Sequence, residues 1–399
     1  MGSAISTRVN NNSVGYNNKE INTTGINNES MPRPKEEKKY NIFSDHDEED
    51  EEENLDEMEE DEALKKYILL EYAKTNFVNE DDKSFQNNFR ARLGFGNTIK
   101  QKHMMMLSAS NDSDWSWREL IDKLKFVSTP IKSPLTKIYD GAVAHLAVEL
   151  FQNIMMYMED LPSKKRSSQI AYNVVKTGMN NESLNDELFC QLFKQITNNK
   201  SSKHLRKGWE LIHICCNFIV PSPTLEPYIL KYLTSIAQDN SKEFSKVASD
   251  AYKALTLAKL YPRQFPPMEV EITSILSRTP IRRKIYFPEQ TCKTFEISTH
   301  TTSKEILQNI FRKYDIEETN EYGLYVILSD GFTLMPIFPN ELMMDCFYTT
   351  DLLLEQFLRE SEQQSYHIMF FRKLWYKEPV DVNDSLMNLI FHEVNIFFI

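Results

Sequence analysis

The sequence predicts an all-α helical domain followed by a smaller α+β domain, behind a disordered acidic N-terminal tail. Three observations carry this reading. Apolar residues recur at three- and four-residue steps through residues 115–258, as on the buried faces of successive helices. After Pro280 the pattern changes to short runs rich in aromatic and β-branched residues. Residues 1–62 hold 18 acidic and 6 basic residues, a net charge of −12, while the rest of the chain balances to zero.

The tail comes first. Residues 1–44 are rich in Asn, Ser and Thr, and residues 45–62 hold 14 acids in 18 positions. Such a segment cannot bury enough apolar surface to offset the entropy of ordering, and its charges repel. It reads as a solvated tail, or as an internal or external partner for a basic surface. Helical character begins at Ala63, with Leu64, Tyr67, Ile68 and Tyr72 at helical spacing. A looser stretch runs to Asp114. One helix is expected near Ala142–Met158, with Leu146, Leu150, Phe151 and Ile154 on its apolar face. Another is expected near Asn185–Thr197, where Leu188, Phe189, Leu192, Phe193 and Ile196 repeat. Asp186 and Glu187 in its first turn suit the positive end of a helix dipole. Pro221, Pro223 and Pro227 punctuate the next helix, and Pro262, Pro266 and Pro267 close the block. The helical domain is therefore expected over 63–270, with its core in 115–268.

The second domain is expected over 271–375. Arg283–Phe287 and Thr294–Ile297 read as two strands joined by a turn at Pro288–Gln290. Thr302 and Glu305 form a capping-box pattern ahead of Ile306, Leu307, Ile310 and Phe311. Strands at Leu324–Leu328, Thr333–Phe338 and His367–Phe371 complete the order β-β-α-β-β-β, that of a ubiquitin-like β-grasp. Residues 376–399 add a final helical pattern, Asp384–Val394, and an apolar end. Leu386, Leu389, Ile390, Phe391, Val394, Phe397 and Phe398 would there form an exposed apolar surface, as a truncated further lobe would.

Composition excludes several classes. No run of ~18 apolar residues is present, so no membrane-spanning helix is expected. A signal-peptide pattern is lacking, and five cysteines without framework spacing fit a reducing, cytoplasmic compartment. With 10 glycines in the chain, the glycine-rich phosphate loops and the nucleophile elbow are missing. No metal-ligand spacing occurs, and no cofactor is expected. Asp186, Glu187 and Cys190 lie together, but helical packing explains them better than catalysis does. The chain reads as a non-enzyme, and its charge balance gives no reason to expect nucleic acid.

Two basic clusters stand out: Lys164, Lys165 and Arg166, and Lys200, Lys203, Arg206 and Lys207. Each is expected just after a helix C-terminus, where cations suit the dipole. They are candidates for a patch that holds an acidic partner. Separately, Met1-Gly2-Ser3-Ala4-Ile5-Ser6 fits the pattern for myristoylation at Gly2. One such chain gives only marginal membrane binding, so weak association with the inner face of the plasma membrane is the most it implies.

Several strings resemble one family. Pro130-Ile131-Lys132-Ser133-Pro134-Leu135, Tyr157-Met158-Glu159-Asp160, the run Leu184–Thr197, Gly208-Trp209-Glu210-Leu211 and Phe218-Ile219-Val220-Pro221-Ser222 occur in order. They resemble the motifs of the myosin tail homology 4 domain, with Glu159 where the family usually has glycine. Glu71–Phe77 resembles the lead helix that often precedes it. In that family the helical domain is usually followed by a FERM module whose first lobe is ubiquitin-like, and 376–399 resembles the start of a second lobe. The resemblance implies a cytoskeletal adaptor. Its partner would be a cytoskeletal protein (tubulin or an actomyosin component) or a cargo tail bound between the helical domain and the first lobe. A lipid-anchored signalling scaffold is the alternative.

Overall fold

The structure is a computed structural model. It describes residues 69–78, 117–239, 243–329, 333–357 and 365–373, together with 384, 387 and 389–392. In chain order, the helical body contains α1 (Leu70–Asn76), α2 (Trp117–Leu124), α3 (Gly141–Met158), α4 (Ser167–Asn180) and α5 (Asn185–Ile196). It continues with α6 (Ser202–Cys216), α7 (Glu226–Ala237), α8 (Ser245–Leu260) and α9 (Glu269–Ser277). The second body contains β1 (Ile281–Tyr286), β2 (Cys292–Ile297), α10 (Ser303–Tyr314), β3 (Tyr322–Leu328), β4 (Leu334–Ile337), α11 (Met343–Phe357) and β5 (Tyr366–Arg372).

Local chemistry sets the helix ends. Asp140 caps α3 by accepting from the backbone N–H groups of Ala142 and Val143. The helix ends at Glu159, held at φ 70°, in the left-handed region. Glycine is strain-free there, and a residue with a Cβ costs roughly 1 kcal/mol. That backbone requirement explains why Glu159 is unusual for its motif. Pro227 sits in the first turn of α7, where its missing N–H costs nothing. Thr302 and Glu305 form the expected capping box on α10.

The helical core is built around α5, whose residues from Glu187 to Ile196 are all buried. It gathers Phe189, Phe193, Ile154, Val174, Trp209 and Ile212. Ile272 and Ile275 of α9 belong to the same core. The boundary expected at residue 270 therefore falls inside a helix of the first body.

In the second body the sheet order is β2-β1-β5-β3-β4. β1 runs antiparallel to β2 and parallel to β5, and β3 is antiparallel to both β4 and β5. α10 covers the sheet with Ile306, Ile310 and Phe311, making the ubiquitin-like core with Ile285, Leu324 and Phe370. The strand order is as expected, but α11 lies between β4 and β5 where no element was read. Its Met343, Met344, Phe347 and Leu354 close the same core.

The final helical pattern is present where it is described, at 384, 387 and 389–392. Leu389 is buried in the lobe core rather than exposed, because it packs with this same cluster. Met387 and Phe391 are exposed. Leu386, Val394, Phe397 and Phe398, the tail 1–62 and Gly2 lie outside the described residues.

Candidate functional site

The polar residues of α5 are the first place to look for chemistry, and each is occupied by structure. Asp186 accepts from the Tyr72 hydroxyl at 2.9 Å and from the backbone and hydroxyl of Ser222 at 2.7 and 2.6 Å. Glu187 is buried. It accepts from the backbone N–H groups of Leu135 and Thr136, the Thr136 hydroxyl and the Gln191 amide. Both acids lie in the first turn of α5, as expected for its dipole, and they also tie α5 to α1, to the 135–136 strand-like segment and to the Ser222 loop.

Farther along, Gln191 donates to the Ala147 carbonyl. Lys194 donates to the carbonyls of Asp122, Lys123 and Lys125 at 3.0, 3.0 and 2.6 Å, closing the end of α2. Burial pushes the Lys194 amine down to about 7, but three acceptors use all three protons of an ammonium and hold it in that form. Cys190 is buried, and burial with Glu187 nearby pushes its thiol up, away from thiolate. This motif is a buried scaffold. Among the described residues there is no metal-binding cluster, and no helix is long and apolar enough to cross a membrane.

The two bodies meet at Arg263, whose side chain is fully buried. Its guanidinium donates to both carboxylate oxygens of Glu271 and, through Nε at 2.7 Å, to Asp345 of α11. It also lies over the Phe218 ring, 5.2 Å from the centroid. Next to it, the Gln264 N–H donates to Asp345 at 3.1 Å. His300, also buried, donates from Nε2 to the Asn217 carbonyl at 2.9 Å. Burial pushes this imidazole down to about 4, so it is neutral. Asp345, Thr299 and His300 come from the lobe, while Arg263, Glu271 and Asn217 come from the helical body. The junction is thus charged, hydrogen-bonded and largely buried, and it fixes one body on the other.

Beside this junction runs a groove of about 540 Å³. α4 contributes Ser168 and Tyr172, α9 contributes Glu269 and Ile272, and α11 contributes Tyr348, Asp351, Leu352 and Glu355. Tyr348 stacks on Phe265 at 5.0 Å, with the Tyr172 ring also lining the groove. Three carboxylates face one cation, Arg166, which pairs with Glu269 at 3.1 Å. Burial raises the Asp351 carboxyl. The groove has an apolar and aromatic floor and an acidic rim.

The basic candidates take different positions. Lys164 and Lys165 are exposed on the loop between α3 and α4 and make no ion pair with a described residue; Arg166 belongs to the groove. Lys200 is exposed just before α6. Lys203, Arg206 and Lys207 lie inside the first turns of α6, not after a helix C-terminus, so the dipole reason given for them does not hold. Carboxylates offset them instead: Lys203 pairs with Glu159, Arg206 with Glu243 at 2.8 Å, and Lys207 with Glu210 at 2.9 Å. The resemblance implied a cargo site between the two domains, but neither Arg263 nor the groove's residues apart from Arg166 were read from the sequence, because the lining runs from Arg166 to Glu355, 189 positions apart.

These features have counterparts in known proteins. The model of the MyTH4 domain matches residues 171–274, and that of an RA like domain matches residues 279–374. The chain carries a MyTH4 domain followed by a FERM-type, RA-like lobe, and its homologues are tails of unconventional myosins. Myosin-VIIa of Drosophila melanogaster is 28% identical over 301 residues, which cover 71% of this chain and 13% of that protein. Among solved structures, the Dictyostelium discoideum myosin VII MyTH4-FERM MF1 domain, mutant 2, aligns with a TM-score of 0.60 at 23% identity, over 80% of this chain and 62% of that one. The human Myosin 7b C-terminal MyTH4-FERM domain, in complex with the harmonin-a PDZ3 domain, aligns with a TM-score of 0.57 at 23% identity, over 67% of this chain and 56% of that one. The chain thus spans a small part of the length of the myosin relative.

Proposed function

We propose that the chain is a cytoskeleton-associated adaptor without catalytic activity, and that the groove beside the junction accepts a segment of a partner protein. The observation that carries this reading is the buried Arg263 junction, which makes the two walls of the groove parts of one rigid body. A preorganised groove loses less entropy on binding than one that must assemble. Glu269, Asp351 and Glu355 around Tyr172, Ile272 and Leu352 suit a segment that carries apolar anchors and Lys or Arg. The human Myosin 7b MyTH4-FERM domain, solved with a protein partner, supports the adaptor reading.

A tubulin-directed version of the function rests on Lys164 and Lys165, which make no ion pair with a described residue. Myristoylation of Gly2 is a separate proposal; incorporation of a labelled myristate by the wild type and not by Gly2→Ala is its expected outcome. The main test compares the full chain with Leu352→Glu and with Lys164→Glu/Lys165→Glu, in capture of cytoskeletal proteins from extract and in pelleting with microtubules. The expected result is one defined partner, identified by mass spectrometry, that is lost with Leu352→Glu and kept with the lysine variant. Equal capture by all three forms overturns the groove reading, and microtubule pelleting lost only with the lysine variant transfers the function to tubulin.

A further inference from the structure

The lobe has a second cavity, of about 490 Å³, on the other side of Asp351 from the groove. Its character is the reverse. β1 supplies three consecutive cations, Arg282, Arg283 and Lys284, and among the described residues Asp351 is the only acid in the lining. Arg282 is engaged at the surface, 3.3 Å from Glu296. Lys284 is exposed and makes no ion pair with a described residue.

Arg283 is the unusual one. Strand alternation turns it toward α11, where its guanidinium lies over the buried Phe347 ring, 5.1 Å from the centroid. It makes no hydrogen bond or ion pair with any described residue, and its Nε is buried without an acceptor. A buried donor left unpaired costs about 1–3 kcal/mol, and such groups in native proteins call for an explanation. Asp351 attracts the arginine without forming an ion pair with it, and Tyr366 holds the same carboxyl. The half-buried Tyr286 ring and the His367 ring, 4.6 Å apart, alternate onto the opposite face of the sheet and line the cavity at its edge.

We propose that this cavity binds the phosphate monoester of a phosphorylated side chain on a partner protein, with Arg283 as its central ligand. A guanidinium held against an aromatic ring is restrained, and its planar fork favours bidentate binding of phosphate oxygens. Lys284 and Arg282, turned to the opposite face by the same alternation, add charge only at the rim. Tyr366, which the β1–β5 register puts on the same face as Arg283, favours phosphotyrosine over phosphoserine, because an aryl ring can pack on it while its phosphate reaches Arg283. The cavity also meets the acidic groove at Asp351, so a bound segment with a basic stretch beside a phosphorylated residue would span both. That continuity rests on the groove reading; the anion site itself does not.

The test uses the full chain and two small probes, N-acetyl-O-phosphotyrosine amide and its phosphoserine counterpart, with N-acetyltyrosine amide as control. Binding is followed by calorimetry and by the Arg283 Nε–H resonance. The expected result is phosphate-dependent binding, tighter for phosphotyrosine, that moves this resonance. It should weaken roughly tenfold in Arg283→Gln, less in Arg283→Lys, and about threefold in Arg282→Gln/Lys284→Gln. If Arg283→Gln does not fold, the lysine and double variants carry the comparison. Leu352→Glu should leave probe binding unchanged, which separates failure of the groove from failure of this site. Equal binding by wild type and Arg283→Lys together with a stationary resonance overturns the proposal. So does Arg283-dependent binding to phosphatidylinositol phosphate in phosphatidylcholine vesicles without binding of the phosphotyrosine probe, which would assign the site to a lipid headgroup.

Discussion

His300 shows how much one buried imidazole can set. It is neutral in the fold, with its pKa pushed down to about 4 from the ordinary 6.5 by burial, and it donates to the Asn217 carbonyl across the junction. A folded value below the unfolded one means that the unfolded chain binds the extra proton first. The stabilisation is therefore fully present above about pH 6.5 and is lost as the pH falls toward 4. At pH 5 the loss from this group is about 2 kcal/mol. Buried Glu187 and Glu271, whose carboxyls are raised by desolvation, act in the opposite sense and favour the fold at low pH. A variant is thus needed to isolate the histidine. In His300→Gln the amide keeps a donor for Asn217 but does not titrate. Urea unfolding of the two proteins at pH 7.5 and pH 5 should show that the wild type loses about 2 kcal/mol more than the variant between the two. Parallel losses would mean that His300 is not held neutral by the fold.

Elements show what was legible in the sequence. α5 was read from its spacing because its apolar residues dominate the pattern. The roles of Asp186, Glu187 and Lys194 were not, because their partners Ser222, Thr136 and the end of α2 are remote in sequence. α11 escaped because its apolar residues cover more than one face, from Met343 and Met344 to Leu352 and Leu354, and β-branched Thr349 and Thr350 interrupt it. α9 escaped because three prolines ahead of it looked like the end of the block.

Packing between elements gives a sharper test at two glycines. A Cβ on Gly208 of α6 would lie 2.4 Å from Cγ2 of Ile196 and 3.0 Å from Cε of Met158. A Cβ on Gly178 of α4 would lie 2.5 Å from Cδ1 of Ile219. The Ile196 methyl is fixed on the β-carbon of a buried helical residue, whereas Ile219 can turn its terminal methyl away. Gly208→Ala should therefore destabilise by about 1–3 kcal/mol despite a helix-propensity gain of about 1 kcal/mol. Gly178→Ala should stay within about 1 kcal/mol of the wild type. Chemical denaturation of both variants distinguishes them, and equal effects would refute the close approach of α6 to α5.

At the scale of the whole molecule, the MyTH4 domain and its lobe have separate apolar cores, and the buried centre of their junction is polar, with the Phe265–Tyr348 stack beside it. Arg263 sits between Pro262 and the pair Pro266–Pro267, where a sequence reading sees a solvated linker. Its burial depends on Glu271, Thr299 and Asp345, and two of these belong to the other body. A buried ion cluster is weak evidence of net stability, since desolvation offsets its attraction, but removing one partner leaves uncompensated charge and costs about 3–5 kcal/mol. Arg263→Met preserves length and bulk while it strands Glu271 and Asp345. Calorimetry of the full chain should then show the wild type's coupled transition split into two, the lobe melting apart from the helical body, with cleavage by added protease appearing between residues 261 and 280. Neutralising the stranded acid in Arg263→Met/Asp345→Asn should recover part of the stability but not the coupling, because the Arg263–Asp345 tie is absent in both. Binding of a groove partner should weaken in step with the uncoupling, while phosphotyrosine-probe binding at Arg283, inside the lobe, should persist. A single transition at the wild-type midpoint in Arg263→Met would show that the two bodies are held by something other than this arginine, and the rigid groove would lose its physical basis.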